Sequence, residues 1–517
     1  MTNDLNAATL HAWLQDGHEI ALLDVREHGQ YGEGHPFFAV NLPYSRLELD
    51  APRLVPRLAT RAVLLDDGDG VAEKAARRLT VLGYSQLHVL DGGAPAWARA
   101  GHTLFKGVNL PSKTFGELVE HHLHTPQLSA QALHERLAAG DDLLLLDGRT
   151  FDEHHRMTIP GAVSLPNGEL ARHIGTLLNG DTQRTVVVHC AGRTRSIIGA
   201  EILRGLALPN PVYALENGTQ GWQLAGFDLE HGSTRRVTTQ ADSTFKPTSA
   251  SNQQISARQA TQWLSDSTRT TYVFDVRSAD EYAQRALPGA VHAPGGQLLQ
   301  TTDQHVGTRH ARILLLDDDG QRAPVIAHWL RCMGHEAASV EGGIDADLVV
   351  PARPAPFTAA PLPSLDVAGL RETFERGGVL IDLRGSLAYR SAHATGASWS
   401  IRPRISHAAH AAGRNRSIVL VTDEPEVTAL AAIDLREAGF TQVAQASWAT
   451  CLAAQLPSQT TPAEPADAQA IDHLFFVHDR HQGNLEAARR YLAWEQGLIA
   501  QCSAQELAAF RLHLAAR

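Results

Sequence analysis

The feature that most constrains this chain is a short motif that recurs four times at intervals of one domain length. Each copy is a run of apolar residues followed by Asp-x-Arg, and the four aspartates are Asp24, Asp147, Asp275 and Asp382. They lie 123, 128 and 107 positions apart, which is the size of a domain and not of a solenoid repeat. A chain of 517 residues is also too long for one hydrophobic core. The sequence therefore predicts four tandem units.

The same predicted elements surround each copy of the motif. An amphipathic helix precedes it, and in the second and third units this helix begins at a serine suited to N-capping, Ser129 and Ser256. A second short strand, a third apolar strand, a helix and a last strand follow. This alternation predicts α/β units, each with a mainly parallel sheet flanked by helices. Within the C-terminal tail 469–517, periodicity predicts helices over residues 485–494 and 504–514, and we expect them to pack on a domain or on a second subunit.

One loop in the second unit carries residues suited to chemistry. Three valines and His189 run into Cys190, and a glycine and two arginines follow before an apolar helix. Loop amides, a helix N-terminus and guanidinium groups all favour the thiolate form of a cysteine. A buried structural cysteine is the alternative, but burial does not call for two arginines within five residues. The loop therefore predicts a nucleophile for an anionic substrate.

Composition excludes several other classes of protein. The net charge is −11 with both signs interspersed, so we expect no nucleic-acid partner and no anionic membrane surface. No secretory signal and no apolar run of about 18 residues is evident. The four cysteines are far apart and form no CxxC pair, which indicates neither a disulfide framework nor a zinc site. We expect a reduced, cytoplasmic protein. One small group in the tail lacks metal-ligand spacing: His473, His478, Asp479 and His481.

The repeated unit resembles the rhodanese homology domain. The segments 147–153 and 159–163 are similar to the first signature of that family, the Cys190 loop to its active-site loop, and the segment 216–222 to its closing glycine and tryptophan motif. The resemblance extends to about residue 455. It implies four rhodanese-like domains and a helical tail, with the boundaries 1–118, 119–235, 250–352, 360–458 and 469–517.

Only the second domain has a cysteine at the position of the nucleophile. Alignment of the third strands places Asp66, Asp317 and Asp423 at the position of Cys190. Because a carboxylate cannot carry a sulfane sulfur, we expect the other three domains to be catalytically inactive. We expect the first of them to pack on the second domain and wall its active site, with the third and fourth more remote.

The resemblance also implies a two-step sulfur transfer that needs no cofactor. Cys190 attacks the outer sulfur of thiosulfate or a related anionic donor, sulfite leaves, and a Cys190 persulfide passes the sulfur to a thiol or to cyanide. A protein sulfur acceptor and a homodimer are left open as partners. The residues predicted to bind the donor or the persulfide are Ala191, Gly192, Arg193, Thr194, Arg195 and Arg149.

Several assignments have alternatives. Arg149 can instead form a structural ion pair with Glu153, His189 can be a strand residue or can modulate the pKa of the nucleophile, and Trp222 is expected in the core. A phosphatase or arsenate reductase on the same fold is one alternative function, although the four residues between Cys190 and Arg195 make a tighter loop than phosphate requires. A non-catalytic scaffold or sulfur-relay protein is the other.

Overall fold

The computed structural model describes residues 3–237, 253–354, 357–413, 416–477, 479–481 and 483–515. The start predicted for the third domain, residue 250, and His478 of the tail lie outside these ranges. The described chain forms four main sheets flanked by helices, so the predicted fold class is confirmed. Within the described ranges no helix is both long enough and apolar enough to cross a membrane.

The first three repeats share one sheet topology. Each sheet has five strands, all parallel to their neighbours, in the spatial order first, fifth, fourth, second, third. In that order the first sheet contains Asn3–Leu5, Leu87–Leu90, Ala62–Leu65, Ala21–Asp24 and Val40–Asn41. The second contains Gln127–Leu128, Val212–Leu215, Thr185–His189, Leu143–Asp147 and Val163–Ser164. The third contains Gln254–Ile255, Glu336–Val340, Arg312–Leu316, Thr271–Asp275 and Val291–His292.

Helices follow the strands in the order that the sequence predicts. The first repeat has Ala7–Trp13, His28–Glu33, Leu47–Leu54, Val71–Val81 and Gly93–Arg99. The second has Ala130–Ala138, Phe151–Arg156, Leu170–Leu178, Thr194–Gly205 and Gly218–Leu224. The third has Ala257–Ser265, Ala279–Gln284, Gly295–Gln300 and Arg322–Cys332. Ser129 and Ser256 cap their helices as predicted, since each side-chain oxygen accepts a hydrogen bond from a backbone N–H of the first turn.

The fourth repeat is reduced, and its strand register corrects one sequence alignment. Its parallel sheet contains Ser398–Trp399, Val379–Asp382, Ile418–Val421 and Val443–Ala446, and its helices are Val367–Glu375, Ser386–Ser391, Ile405–Ala412, Pro425–Glu437 and Trp448–Ala453. Asp147 pairs with His189, the residue before Cys190, and Asp382 pairs with Val421, the residue before Thr422. The position of Cys190 therefore corresponds to Thr422 and not to Asp423.

The repeats associate in two pairs, each within a compact unit. One unit comprises Met1–Ala12, Ala21–Val108 and Pro354–Phe476, and the other Trp13–Ile20, Asn109–Arg353 and Val477–Arg517. In the first unit, repeats one and four meet at a buried polar cluster. The Tyr44 hydroxyl donates to Asp434 at 2.9 Å, and Arg402 binds Glu48 at 2.8 Å. Because these charges are buried but paired, the cluster joins the two repeats without leaving an uncompensated ion.

In the second unit, repeats two and three pack directly on each other. Arg322 of the third repeat reaches Glu169 of the second at 3.3 Å. The two backbones also come very close, because a Cβ added to Gly168 would lie 2.8 Å from the amide nitrogen of Gly296. The expectation that the third repeat lies remote from the second was therefore wrong. The buried side chains of each repeat provide the apolar surface between sheet and helices.

The helix Leu110–Leu123, here named the bridging helix, precedes the second repeat. The boundary predicted at residues 118 and 119 falls inside it, and the whole helix belongs to the second unit.

The tail helix, Leu485–Gln496, is followed by the short helices Leu498–Gln501 and Ala504–Leu507 and the 3-10 turn Leu512–Leu514. The last two replace the single helix predicted over 504–514. Phe510 of the tail stacks on Phe115 of the bridging helix, so the expectation that the tail packs on the domains is confirmed.

The Asp-x-Arg motif forms the same buried ion pair in all four repeats. Nη2 of Arg26, Arg149, Arg277 and Arg384 lies 2.6–2.7 Å from the carboxylate of the aspartate two residues earlier. In each repeat the same Nη2 also donates to a backbone carbonyl eight residues further along the chain. The motif therefore fixes the segment that follows the strand ending at the motif aspartate, in all four repeats.

The loops of repeats one and three hold a carboxylate at the position of the nucleophile. Asp66 accepts hydrogen bonds from the amides of Gly68, Gly70 and Ala72 at 2.8–3.0 Å. Asp317 likewise accepts three backbone hydrogen bonds at 2.9–3.1 Å. Successive amides that converge on one point form an anion-binding nest, and here the anion belongs to the protein itself.

We expect Asp66→Ala to lower the stability of the first repeat by roughly 1.5–3 kcal/mol, because it removes the buried, charged acceptor of three loop amides. Thermal unfolding of the full chain measures this change. Asp91→Ala, which removes an exposed carboxylate of the same repeat, is the matched control. Equal melting temperatures for both variants would mean that the Asp66 hydrogen bonds contribute nothing.

Candidate active site at Cys190

Cys190 lies at the carboxyl end of the central strand Thr185–His189, directly before the loop that leads into the helix Thr194–Gly205. Its side chain is 2% exposed, and Sγ lies 3.3 Å from the hydroxyl of Ser196. The corresponding residues of repeats one and three are alanines, Ala72 and Ala323. A hydroxyl beside the sulfur is therefore a feature of the second repeat among these three. The sequence analysis gave Ser196 no role.

The other three cysteines are poor nucleophiles. Burial raises the pKa of Cys332 to about 12, that of Cys451 to about 11 and that of Cys502 to about 12. A thiol with a raised pKa has little of the reactive thiolate at neutral pH.

The closing glycine motif, residues 216–222, packs against the loop that follows Cys190 and donates hydrogen bonds to its backbone. A Cβ on Gly218 would lie 2.3 Å from the carbonyl oxygen of Cys190, and Gly218 has φ +52°, so only glycine fits there. The amide of Thr219 donates to that same oxygen at 2.8 Å, and the Gln220 side chain donates to the carbonyl of Ala191 at 3.0 Å. Trp222 is buried in the core of the repeat, as predicted.

Arg193 and Arg195 both reach the loop, and glutamates pair with both. Arg193 binds Glu117 at 2.7 Å and also Glu120, both on the bridging helix. Arg195 binds Glu153 through two hydrogen bonds of 2.7 Å. Burial would raise the pKa of Glu153, but Arg195 outweighs it and lowers that pKa to about 2. These pairs anchor the loop to its surroundings. Direct donor binding by either arginine stays a prediction.

Arg149 is paired with Asp147, and not with Glu153 as the structural alternative supposed. Nη1 of Arg149 differs in its partners from the equivalent atoms in repeats one and three. In those repeats a second aspartate follows Asp66 or Asp317 and binds Nη1 of the arginine. Asp67 binds Arg26 at 2.8 Å, and Asp318 binds Arg277 at 3.4 Å. In the second repeat this residue is Ala191. Among the described residues, Nη1 of Arg149 therefore has no such carboxylate partner beside the nucleophile.

His189 is fully buried behind the nucleophile. Burial lowers its pKa to about 4, so its imidazole is neutral near pH 7. One ring nitrogen lies 3.4 Å from the Thr158 hydroxyl and the other 3.4 Å from the carbonyl oxygen of Cys190. These contacts involve neighbouring backbone and side-chain oxygens and not the sulfur. A role in modulating the nucleophile stays a prediction.

Two elements distant in sequence complete the site. Tyr491 and Glu495 of the tail helix both lie against Gly192, since a Cβ there would be 3.1 Å from Cε1 of Tyr491 and from Oε2 of Glu495. Glu495 also accepts a hydrogen bond of 2.7 Å from Thr194, and Lys113 of the bridging helix lies 3.6 Å from the same carboxylate. No local sequence signal marks these residues, because about 300 positions separate Glu495 from the loop.

The described residues contain no group of three or more His, Cys, Asp or Glu side chains arranged to hold a metal ion. The tail residues considered in the sequence include His478, which lies outside the described ranges.

A sequence model of the rhodanese-like domain matches residues 6–100, 129–225 and 256–347, which is more than half of the chain. The chain belongs to the rhodanese-like family. The three matches coincide with the three five-stranded repeats, and the reduced fourth repeat is not among them. The sulfur-transfer loop of the family is therefore to be sought in repeats one to three, where only Cys190 supplies a thiol at the loop position.

Known relatives agree with this assignment. A crystal structure of thiosulfate sulfurtransferase from Pseudomonas aeruginosa matches 98% of this chain and 99% of its own length, at 36% identity and a TM-score of 0.86. A putative thiosulfate sulfurtransferase of Mycobacterium tuberculosis, SseB, is 26% identical over 34% of this chain and 74% of its own length. A putative sulfur carrier protein of Bacillus subtilis, YrkF, is 25% identical over 23% of this chain and 69% of its own length.

The buried neutral His189 makes the second repeat sensitive to acid. Between pH 6.5 and about 4 the unfolded imidazole binds a proton that the folded one does not, so stability present above pH 6.5 is lost as the pH falls through this window. The contribution is on the order of 3 kcal/mol. We expect His189→Gln to lose less stability than the parent between pH 7 and pH 4, as measured by urea unfolding. Identical losses in both proteins would contradict the lowered pKa.

Proposed function

We propose that this protein is a sulfurtransferase that moves a sulfane sulfur from thiosulfate, or a related anionic donor, to a thiol or cyanide through a Cys190 persulfide. The observation that carries the proposal is the loop around Cys190. In repeats one and three the same loop surrounds the carboxylates of Asp66 and Asp317 with backbone amides. A loop that stabilises a carboxylate is suited to stabilise a thiolate or a persulfide anion at the same position.

The first step forms a bond between Sγ of Cys190 and the outer sulfur of thiosulfate. The sulfur–sulfur bond of the donor breaks, and sulfite leaves with the electron pair of that bond. In the second step an acceptor thiolate or cyanide attacks the outer sulfur of the persulfide, and Cys190 leaves as a thiolate. The enzyme thus alternates between two covalent states, which is a ping-pong mechanism.

Donor oxygens need cationic or N–H partners near the sulfur. We propose that Nη1 of Arg149 is the guanidinium donor, because the equivalent atoms of Arg26 and Arg277 bind the carboxylates of Asp67 and Asp318, whose position Ala191 occupies in the second repeat. The amides of Ala191, Gly192 and Thr194 supply further donors. We propose that Arg193 and Arg195 act mainly by holding the loop, since both are already paired with glutamates.

We expect Cys190→Ser to abolish sulfur transfer from thiosulfate to cyanide, because a hydroxyl cannot form the persulfide. Mass spectrometry of the intact parent after treatment with thiosulfate should show the gain of one sulfur atom, on the peptide that contains Cys190. Cys332→Ser, which changes a buried thiol of the third repeat, is the matched control and should retain activity. Persulfide on another cysteine, or phosphatase turnover without persulfide, would overturn the proposal.

We expect Ala191→Asp to raise KM for thiosulfate by roughly tenfold to a hundredfold, because it places a carboxylate against Arg149 as in the inactive repeats. The loss of one charge-assisted contact of about 1.5–3 kcal/mol corresponds to this range. Ala191→Asn introduces a side chain of the same size without the charge and is the control. Equal KM values for the two variants would show that the charge at this position does not matter to the donor.

A further inference from the structure

The tail helix brings one carboxylate into the site that neither step described above uses. Glu495 is 1% exposed, although it belongs to a segment outside the four repeats. Its Oε1 accepts the hydrogen bond from Thr194 at 2.7 Å and lies 3.6 Å from Nζ of Lys113. Its Oε2 is buried and meets no hydrogen-bond donor among the residues that the structure describes. A buried acceptor without a donor is costly, so this oxygen is available to bind something.

The position of Oε2 indicates what it can bind. It lies 3.1 Å from the point where a Cβ of Gly192 would be, and therefore against the loop that holds the sulfur. Thiosulfate and the cyanide ion carry no proton to donate, and a second negative charge does not attract them. An acceptor thiol differs from both, because its S–H can donate a hydrogen bond to the carboxylate and must lose its proton before the sulfur attacks.

We propose that Glu495 accepts the proton of the incoming acceptor thiol in the second half of the reaction. This inference rests on the sulfurtransferase function proposed above and assigns a residue to its thiol branch. The persulfide anion left by the first step takes a proton from solvent to give Cys190–S–SH. The carboxylate takes the proton from R–SH, and the resulting R–S⁻ attacks the outer sulfur of Cys190–S–SH. The bond to Cys190 breaks, R–S–SH forms, and Cys190 leaves as a thiolate. Glu495 then releases its proton to solvent, so atoms and charge balance.

Charged groups of both signs surround Glu495. Lys113, whose pKa is raised by the charge of Glu495 in spite of its burial, lies beside Oε1. The other titratable or charged groups on the neighbouring elements are Glu117 and Glu120 on the bridging helix, Arg193 in the loop, Tyr491 on the tail helix and Arg480. Arg193 is already paired with Glu117 and Glu120, so Lys113 is the cation that balances Glu495 directly.

The test measures each half-reaction separately on the full chain. The protein is first loaded with thiosulfate, and the persulfide on Cys190 is quantified by mass spectrometry. The loaded protein is then mixed with either 2-mercaptoethanol or cyanide, and the single-turnover rate of sulfur loss is measured from pH 6.5 to pH 9.5. The cyanide rate at each pH is divided by the concentration of the cyanide ion, so that the ionisation of the acceptor itself does not enter the comparison.

We expect Glu495→Gln to load normally and to lose its sulfur to cyanide at the parent rate. Its sulfur loss to 2-mercaptoethanol at pH 7 should be roughly a hundredfold slower, which is the usual effect of removing a general base. The deficit should largely close near pH 9.5, because an alkyl thiol then ionises by itself. Glu486→Gln, which removes an exposed carboxylate from the same helix, should match the parent throughout.

Equal loss of both rates at every pH would overturn the proposal and make Glu495 a purely structural support of the loop. An unchanged thiol rate at pH 7 would overturn it as well. Failure of the parent protein to load sulfur on Cys190 would instead refute the proposed function itself, so the two failures are distinguishable. The melting temperature of the glutamine variant reports whether its fold is intact.

Discussion

The buried ion pair between the motif aspartate and the arginine two residues later organises each repeat of this protein. The aspartate is the last residue of its strand and has 0% exposure in all four copies, so its charge would be prohibitively costly without the guanidinium. The pair uses Nε and Nη2 of the arginine, and Nη2 also holds a backbone carbonyl eight residues later. In repeats one and three this leaves Nη1 to bind a carboxylate of the neighbouring loop.

The first two loop residues differ between the second repeat and repeats one and three. In repeats one and three two consecutive aspartates follow the third strand: the first occupies the amide nest and the second neutralises Nη1. In repeat two the same positions are Cys190 and Ala191, so a thiol replaces the first carboxylate and Nη1 lacks the second. These two substitutions remove both negative charges that the loops of repeats one and three carry at these positions. The fourth repeat has lost the loop altogether, with Thr422 at this position and a helix that begins at Pro425.

The third repeat also contacts the second. Its Arg322 occupies the position of Arg195 and makes the corresponding pair with Glu281, while also reaching Glu169 in the second repeat. This recurrence shows that the Arg195–Glu153 pair belongs to the architecture of the loop. The tail and the bridging helix act from the other side, where Glu117, Glu495 and Lys113 surround Arg193 and Thr194. The loop after Cys190 is therefore held by two elements outside its own repeat, the bridging helix and the tail helix.

The sequence by itself determined the number of repeats, the parallel α/β class and the capped helices at Ser129 and Ser256, and it singled out the loop after Cys190 as the candidate site. Periodicity, capping and a thiol in an arginine-rich loop are local signals. It could not reveal the short first strand of each sheet, the equivalence of Thr422 to Cys190, or the pairing of repeat two with repeat three. Those features depend on strand register and on surface complementarity, which single segments do not encode. Only the tertiary structure decided that glutamates already hold Arg193 and Arg195, and that Glu495 joins the site. Ion pairs and contacts between residues hundreds of positions apart exist only once the chain has folded.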